Sequence, residues 1–241
     1  MNDSAPSEGP VSVPVTIVRD PGRAGKLPVV ILCNEQGQSA LRAEGGSGSA
    51  GDLARQGALV VLPDVRFFGQ LALDALLGDL APRLMKFSPK YMLPVAKDVS
   101  QITQAWERNA IVWGRPLPGM ACTDIVSVLD ALAARQDVDP SNMKLVSRHS
   151  GALSIAALFA AALDTRITSL DLNFAGQCFE NRKLPVVPFI LEHGDVLQWA
   201  ALAANRKVTL SDVPREAGDQ SWLAAVFAAT GNKGGLRFDS R

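Results

Sequence analysis

The chain has 241 residues, enough for one domain with a sizeable core. Lys plus Arg and Asp plus Glu number 24 each, so the formal net charge is zero. No long run of one sign occurs, and nothing in that balance favours a nucleic-acid or anionic-membrane partner.

The longest apolar stretches, 58–63 and 152–163, fall well short of the ~20 residues needed to cross a bilayer. The opening MNDSAPSEGP has neither the basic start nor the apolar core of a secretory signal. The sequence therefore reads as soluble, with residues 1–10 a flexible leader and 11–241 a single domain. Cys33, Cys122 and Cys178 are widely scattered and odd in number, which predicts reduced thiols rather than a disulfide framework. With His149 and His193 as its two histidines, the chain offers no metal-ligand spacing, and no metal or other cofactor is expected.

In chain order, VSVPVTIVRD (11–20) alternates like an edge strand, and LPVVILCN (27–34) is a denser run that predicts a buried one. GDLARQG (51–57) has the form of a helix closed by glycine, followed by the buried strand ALVVLPDV (58–65). Residues 67–118, with prolines at 82, 89, 94, 116 and 118, read as an inserted loop and helix region. Ile125, Val126, Val128, Leu129 and Leu132 form a helical stripe within 122–140. Then come a strand at 143–147, an apolar helix at 152–163, strands at 167–174 and 207–212 flanking a helix at 197–205, a helix at 221–231 and a final strand at 235–240. Strands alternating with helices predict the α/β class, a mostly parallel central sheet with helices on both faces. GGSGSAG (45–51) lacks the Gly-Lys-Ser/Thr ending of a phosphate loop and reads as a flexible connection.

The stretch KLVSRHSGALS (144–154) looks like a strand turning sharply into a helix. A nucleophile elbow requires small residues two positions either side of its tip, because the turn brings them against neighbouring backbone. Centred on His149 the flanks are Ser147 and Gly151, both small; centred on Ser150 they are Arg148 and Ala152. The spacing therefore puts His149 at the tip and Ser150 at the start of the helix. Three readings stay open: a turn kept for packing after its chemistry was lost, attack by Ser150 with unusual geometry, and His149 itself as a base or ligand contact.

Three longer segments carry a family resemblance. ARQGALVVLPDVRFFGQ (54–70), the GRPLPGM segment and Asp-containing helix within 106–147, and AAALDTRITSLDL (160–172) resemble, in order and spacing, the α/β-hydrolase superfamily. The likeness is to its acetyl xylan esterase, prolyl-oligopeptidase-like and dienelactone-hydrolase-like branch and covers about residues 27–212. The resemblance implies the α/β-hydrolase fold, an ester substrate such as acetylated carbohydrate, and backbone amides near Asn34 and Gly151 as oxyanion donors. It also makes Asp64 and Arg66 a structural turn, with Phe67 where the family carries glycine.

The triad is where the resemblance breaks. The family's elbow serine aligns with His149, which leaves Ser150 as the one elbow hydroxyl. Asp212 stands where the family's acid would stand, though a strand-end aspartate capping the next turn is the commoner explanation of such a residue. No histidine follows Asp212; His193, beside Glu192 and Asp195, would have to reach the elbow from elsewhere or be a surface residue. The sequence thus predicts an esterase-like protein with a degraded triad and weak or no esterase activity. Its alternatives are a serine esterase built on Ser150, and a noncatalytic ligand- or partner-binding domain of a larger chain.

Overall fold

Eight strands hydrogen-bond into one sheet in the order β1-β2-β4-β3-β5-β6-β7-β8. They are β1 Asn2–Pro6, β2 Ser12–Val18, β3 Leu27–Asn34, β4 Leu59–Pro63, β5 Val138–Arg148, β6 Ile167–Asn173, β7 Lys207–Ser211 and β8 Leu236–Asp239. The first two pairings, β1 with β2 and β2 with β4, are antiparallel, and every later one is parallel. This computed structural model describes residues 2–7, 11–72 and 99–239.

Within the segment expected as a leader at 1–10, Asn2–Pro6 is a strand paired with Ser12–Thr16. Its five residues carry no apolar alternation, and backbone hydrogen bonds to β2 hold it, with Ala5 buried. In the expected insertion at 67–118, a helix runs from Val99 to Val112 and another begins at Leu117; the prolines at 82, 89 and 94 lie outside the described residues. The second helix, Leu117–Ala133, takes Pro118 into its first turn, where a missing N–H costs nothing, and therefore starts earlier than the apolar stripe suggested. It also ends earlier, because Val138 already pairs with Leu27 as the start of β5.

Among the described residues the two sheet faces are covered unequally. On one, Met143 and Leu145 of β5 join Ile31, Leu170, Leu172 and Leu210 in the main core. The helices Leu117–Ala133, Gly151–Leu163, Val196–Ala200 and Gln220–Ala229 pack there. Gly151–Leu163 is rich in Ala and Leu and apolar nearly all round, which suits a strongly helical segment buried on most sides. On the opposite face a smaller cluster of Val30, Leu32, Val60, Leu62 and Val146 is covered by the helices Gly37–Ala43 and Ala50–Arg55. That cover lies over β3 and β4, whose near-continuous apolar runs are those of strands buried on both sides.

Candidate active-site region

Strand β5 ends at Arg148, and the helix begins at Gly151, leaving two residues for the turn. His149 takes a left-handed backbone at φ 52°, unusual for a residue with a Cβ and typical of strained functional turns. Ser150 returns to extended backbone as the N-cap, and its Oγ accepts a 3.0 Å hydrogen bond from the Leu153 N–H. The need for smallness at 151 is visible in space: a Cβ there would stand 2.5 Å from Gln177 Oε1 and 2.7 Å from Leu184 Cδ2. At 147 the side chain is buried, and its hydroxyl donates toward the Ser150 carbonyl at 3.4 Å.

The tip is therefore His149, whose side chain is exposed, while Ser150 is fully buried at 0% exposure. Its hydroxyl faces into the helix start and bonds to neither histidine. His193 follows the 3-10 turn Ile190–Glu192 and is exposed. The carboxylate beside it, Asp195, is occupied: it caps Val196–Ala200 in a capping box with Gln198 and accepts from the Phe179 and Glu180 amides at 3.0 and 2.9 Å. Asp212 follows β7 in a left-handed conformation, φ 51°, and accepts from Asn173 Nδ2 at 2.5 Å. His149 and Asp212 thus sit just past the carboxyl ends of β5 and β7, with Asn173 at the end of β6 between them.

Of the two amides expected to serve an oxyanion, that of Gly151 is already committed, donating to Gln177 Oε1 at 3.1 Å. Asn34 closes β3 and turns its Oδ1 to the Gln36 N–H at 2.8 Å, shaping the loop that follows. Asp64 and Arg66 do not pair with each other. Asp64 accepts from the Gln38 N–H at 2.7 Å, from Gln38 Nε2 at 2.9 Å and from the Gln70 N–H at 3.3 Å. Gly37 and Gly69 press so closely on it that a Cβ on either would collide with the carboxylate. Arg66 instead pairs with Asp124 at 2.8 Å. Phe67, in the position the family gives to glycine, holds a glycine-like φ of 76°.

The three thiols are all held in their protonated form. Cys33, at the end of β3, is pushed up to about 12, first by burial and then by the nearby Asp64 carboxylate. Burial alone raises Cys122 to about 11. Cys178 is also raised, chiefly by burial. Among the described residues no group of three or more His, Cys, Asp or Glu side chains is placed to hold a metal ion. No single helix among them is long and apolar enough to cross a membrane.

Beside the elbow lies a cleft of about 420 Å³, reached by His149, Arg148, Lys144, Asp171 and Asn173. Arg148, the awkward residue of the elbow sequence, pairs with Glu44 at 2.5 Å and donates to the Gly48 carbonyl, fixing the loop that forms one wall. Lys144 and Asp171 meet at 3.2 Å across β5 and β6. Sequence reasoning missed Lys144 and Asp171. The available signal was the alternation Lys144, Val146, Arg148 in a central strand, which puts two cations on one face of a sheet normally buried on both.

No protein-family model matches the chain, and no curated protein matches it by sequence. Solved structures do match. A Bacteroides fragilis protein described as an acetyl xylan esterase superposes with a TM-score of 0.67 at 12% identity, over 96% of this chain and 63% of its own. A Klebsiella pneumoniae protein described as a dienelactone hydrolase gives 0.58 at 17% identity, over 100% and 83%. A cold-adapted esterase from an Arctic intertidal metagenomic library gives 0.54 at 14% identity, over 100% and 82%. The chain therefore spans less than two thirds of the length of the first of these relatives. The strand order, the single antiparallel end of the sheet, the sharp turn after β5 and these superpositions together give this chain the α/β-hydrolase fold.

Proposed function

We propose that this chain keeps the hydrolase architecture without serine hydrolysis, and that the region past the strand ends holds a small ligand intact. The observation that carries the reading is the pairing of an imidazole at the exposed tip with a buried Ser150 hydroxyl engaged by Leu153 N–H. Acyl transfer needs a hydroxyl whose proton an adjacent base can take and whose oxygen can reach a carbonyl. Ser150 would have to give up its cap, worth about 0.5–2 kcal/mol, and leave the helix start before meeting a substrate. The amide of Gly151 is likewise already spent on Gln177. The names of the structural neighbours make an ester or an acetylated carbohydrate the first class of ligand to try.

The test is hydrolysis of p-nitrophenyl acetate and an acetylated xylan fragment by the wild type, Ser150→Ala, Ser150→Asn and His149→Ala. Ser150→Asn retains a side chain able to cap the helix while removing the hydroxyl, so it separates chemistry from folding. The expected result is a slow background rate that both Ser150 variants leave unchanged. Robust turnover lost in Ser150→Asn with the fold intact overturns the proposal and makes Ser150 a nucleophile.

A further inference from the structure

Strand β8 closes one end of the sheet, pairing with β7 on its inner side and with no other strand among the described residues. In a parallel ladder alternate residues of a strand turn their N–H and C=O groups to the same neighbour. The Val208 N–H donates to the Gly235 carbonyl at 2.7 Å, and Val208 stands level with Leu236. Arg237 and Asp239 therefore bond inward to β7, while Leu236 and Phe238 hold their backbone groups out along the free edge. A row of that kind is a template for another strand.

The side chains of this edge form a self-complementary set. Arg237 and Asp239 flank Phe238 on one face and pair with each other at 2.8 Å. A second β8, turned antiparallel about a twofold axis through Phe238, sets its Asp239 opposite Arg237 and its Arg237 opposite Asp239. The twofold registers centred one residue to either side would oppose Arg237 to Arg237 or Asp239 to Asp239, which is destabilising. The Phe238-centred register also suits the backbone, because the two outward-facing Phe238 residues exchange N–H···O bonds. The other end of the sheet offers no such match: in β1 a twofold through Ser4 sets Asp3 opposite Ala5, and Pro6 has no N–H to give.

The crossover leading into β8 adds a second surface at the same end. The helix Gln220–Ala229 turns Leu223 and Phe227 into the core. Thr230, just past its end, donates to the Ala204 carbonyl on the side of the preceding crossover. Ala224 and Ala228 lie on the opposite side, toward the end of the sheet, and both are exposed. Residues 220–232 include no charged side chain, although a surface helix normally turns charges to water.

We infer that β8 is the seam of a symmetric dimer, in which a second copy of this chain adds its β8 antiparallel about Phe238 and the two sheets join into one. The contact is isologous and therefore closed, each copy using the same edge. It is separate from the nonhydrolytic reading, since β6 and β7 stand between this edge and the elbow strand.

The experiment is sedimentation velocity on the purified chain over a wide range of concentration, with hydrogen exchange at the Phe238 amide. A monomer–dimer equilibrium is expected, and the Phe238 amide should gain protection as the dimer forms. Arg237→Asp and Asp239→Arg each set like charges opposite one another on both sides of the axis, so each should weaken association about tenfold or more. The two changes combined restore opposite charges and should recover the affinity of the wild type. Ala224→Glu together with Ala228→Glu should also weaken the dimer. All four positions are exposed or partly exposed, and an unchanged urea midpoint at monomer concentrations shows that each variant folds. A chain that stays monomeric at the highest concentration, an open-ended polymer, or a dimer indifferent to both single charge reversals overturns the inference. A combined reversal that associates as weakly as the single ones overturns it too.

Discussion

Arg66 and Asp124, 58 positions apart, join the loop after β4 to the helix Leu117–Ala133 through a 2.8 Å ion pair whose carboxylate is wholly buried. The Arg66 N–H also donates to that carboxylate at 2.8 Å, the guanidinium donates to the Met120 carbonyl at 3.0 Å, and the Ser7 hydroxyl donates to Asp124 from beyond β1 at 2.6 Å. One aspartate thus fastens three separate segments.

Removing either partner leaves the other charge buried. Arg66→Ala or Asp124→Ala should cost roughly 3–5 kcal/mol, read as a lowered urea midpoint. Replacing the pair with apolar residues of similar volume should cost much less. A single variant as stable as the wild type would remove this pair from the account of the fold.

Gly151 is fixed by what surrounds the elbow. Gly151→Ala should destabilise by about 1–3 kcal/mol, because Gln177 and Leu184 occupy the space a methyl needs. Adding Gln177→Ala should return part of that loss, and a double-mutant cycle measures the coupling. Simple additivity of the two changes would mean that neither side chain sets the limit at 151.

Acid stability should depend on Asp164. Its hydrogen bonds from Arg166, at 2.9 and 3.0 Å from Nε, hold the carboxyl below its ordinary value of 3.8, against the opposing effect of burial. A depressed folded value means the unfolded chain takes up the proton first. The stabilisation is complete above the ordinary value and is lost as pH falls toward the folded one. Asp164→Asn should therefore lower stability at pH 7 and flatten its decline below about pH 4; unfolding curves at several pH values decide it.

The thiols give a prediction about access. Cys33, Cys122 and Cys178 are all buried and all raised above the usual thiol value. At pH 8 they should resist a thiol-exchange reagent in the native state and react together in denaturant. Rapid reaction of Cys33 in the folded protein would show the end of β3 to be open.

The elbow was legible in the sequence because its constraint is local: Ser147 and Gly151 must be small, and only a frame centred on position 149 meets that. The direction of the Ser150 hydroxyl was not, because an N-cap bond to Leu153 and an exposed nucleophile begin from the same residue type. β1 was missed since NDSAP has no apolar rhythm, and its pairing is made by backbone. The partner of Arg66 was hidden by sequence distance, and the Asp next to it in the chain belongs to Gln38. The cleft depended on register: Lys144 and Asp171 become neighbours only when β5 and β6 are aligned.

The strand order also sets a schedule for synthesis. β3 finds β4 soon after both emerge, pairing Val29 with Leu59, but its other edge waits for β5, where Val29 pairs with Met143. Closing so long a loop is entropically costly and is rewarded only once the whole intervening chain exists. While residues 35–148 are being made, the nascent polypeptide therefore carries one of its most apolar strands with an unpaired edge. That edge is where a ribosome-bound chaperone would be needed and where premature release would lead to aggregation.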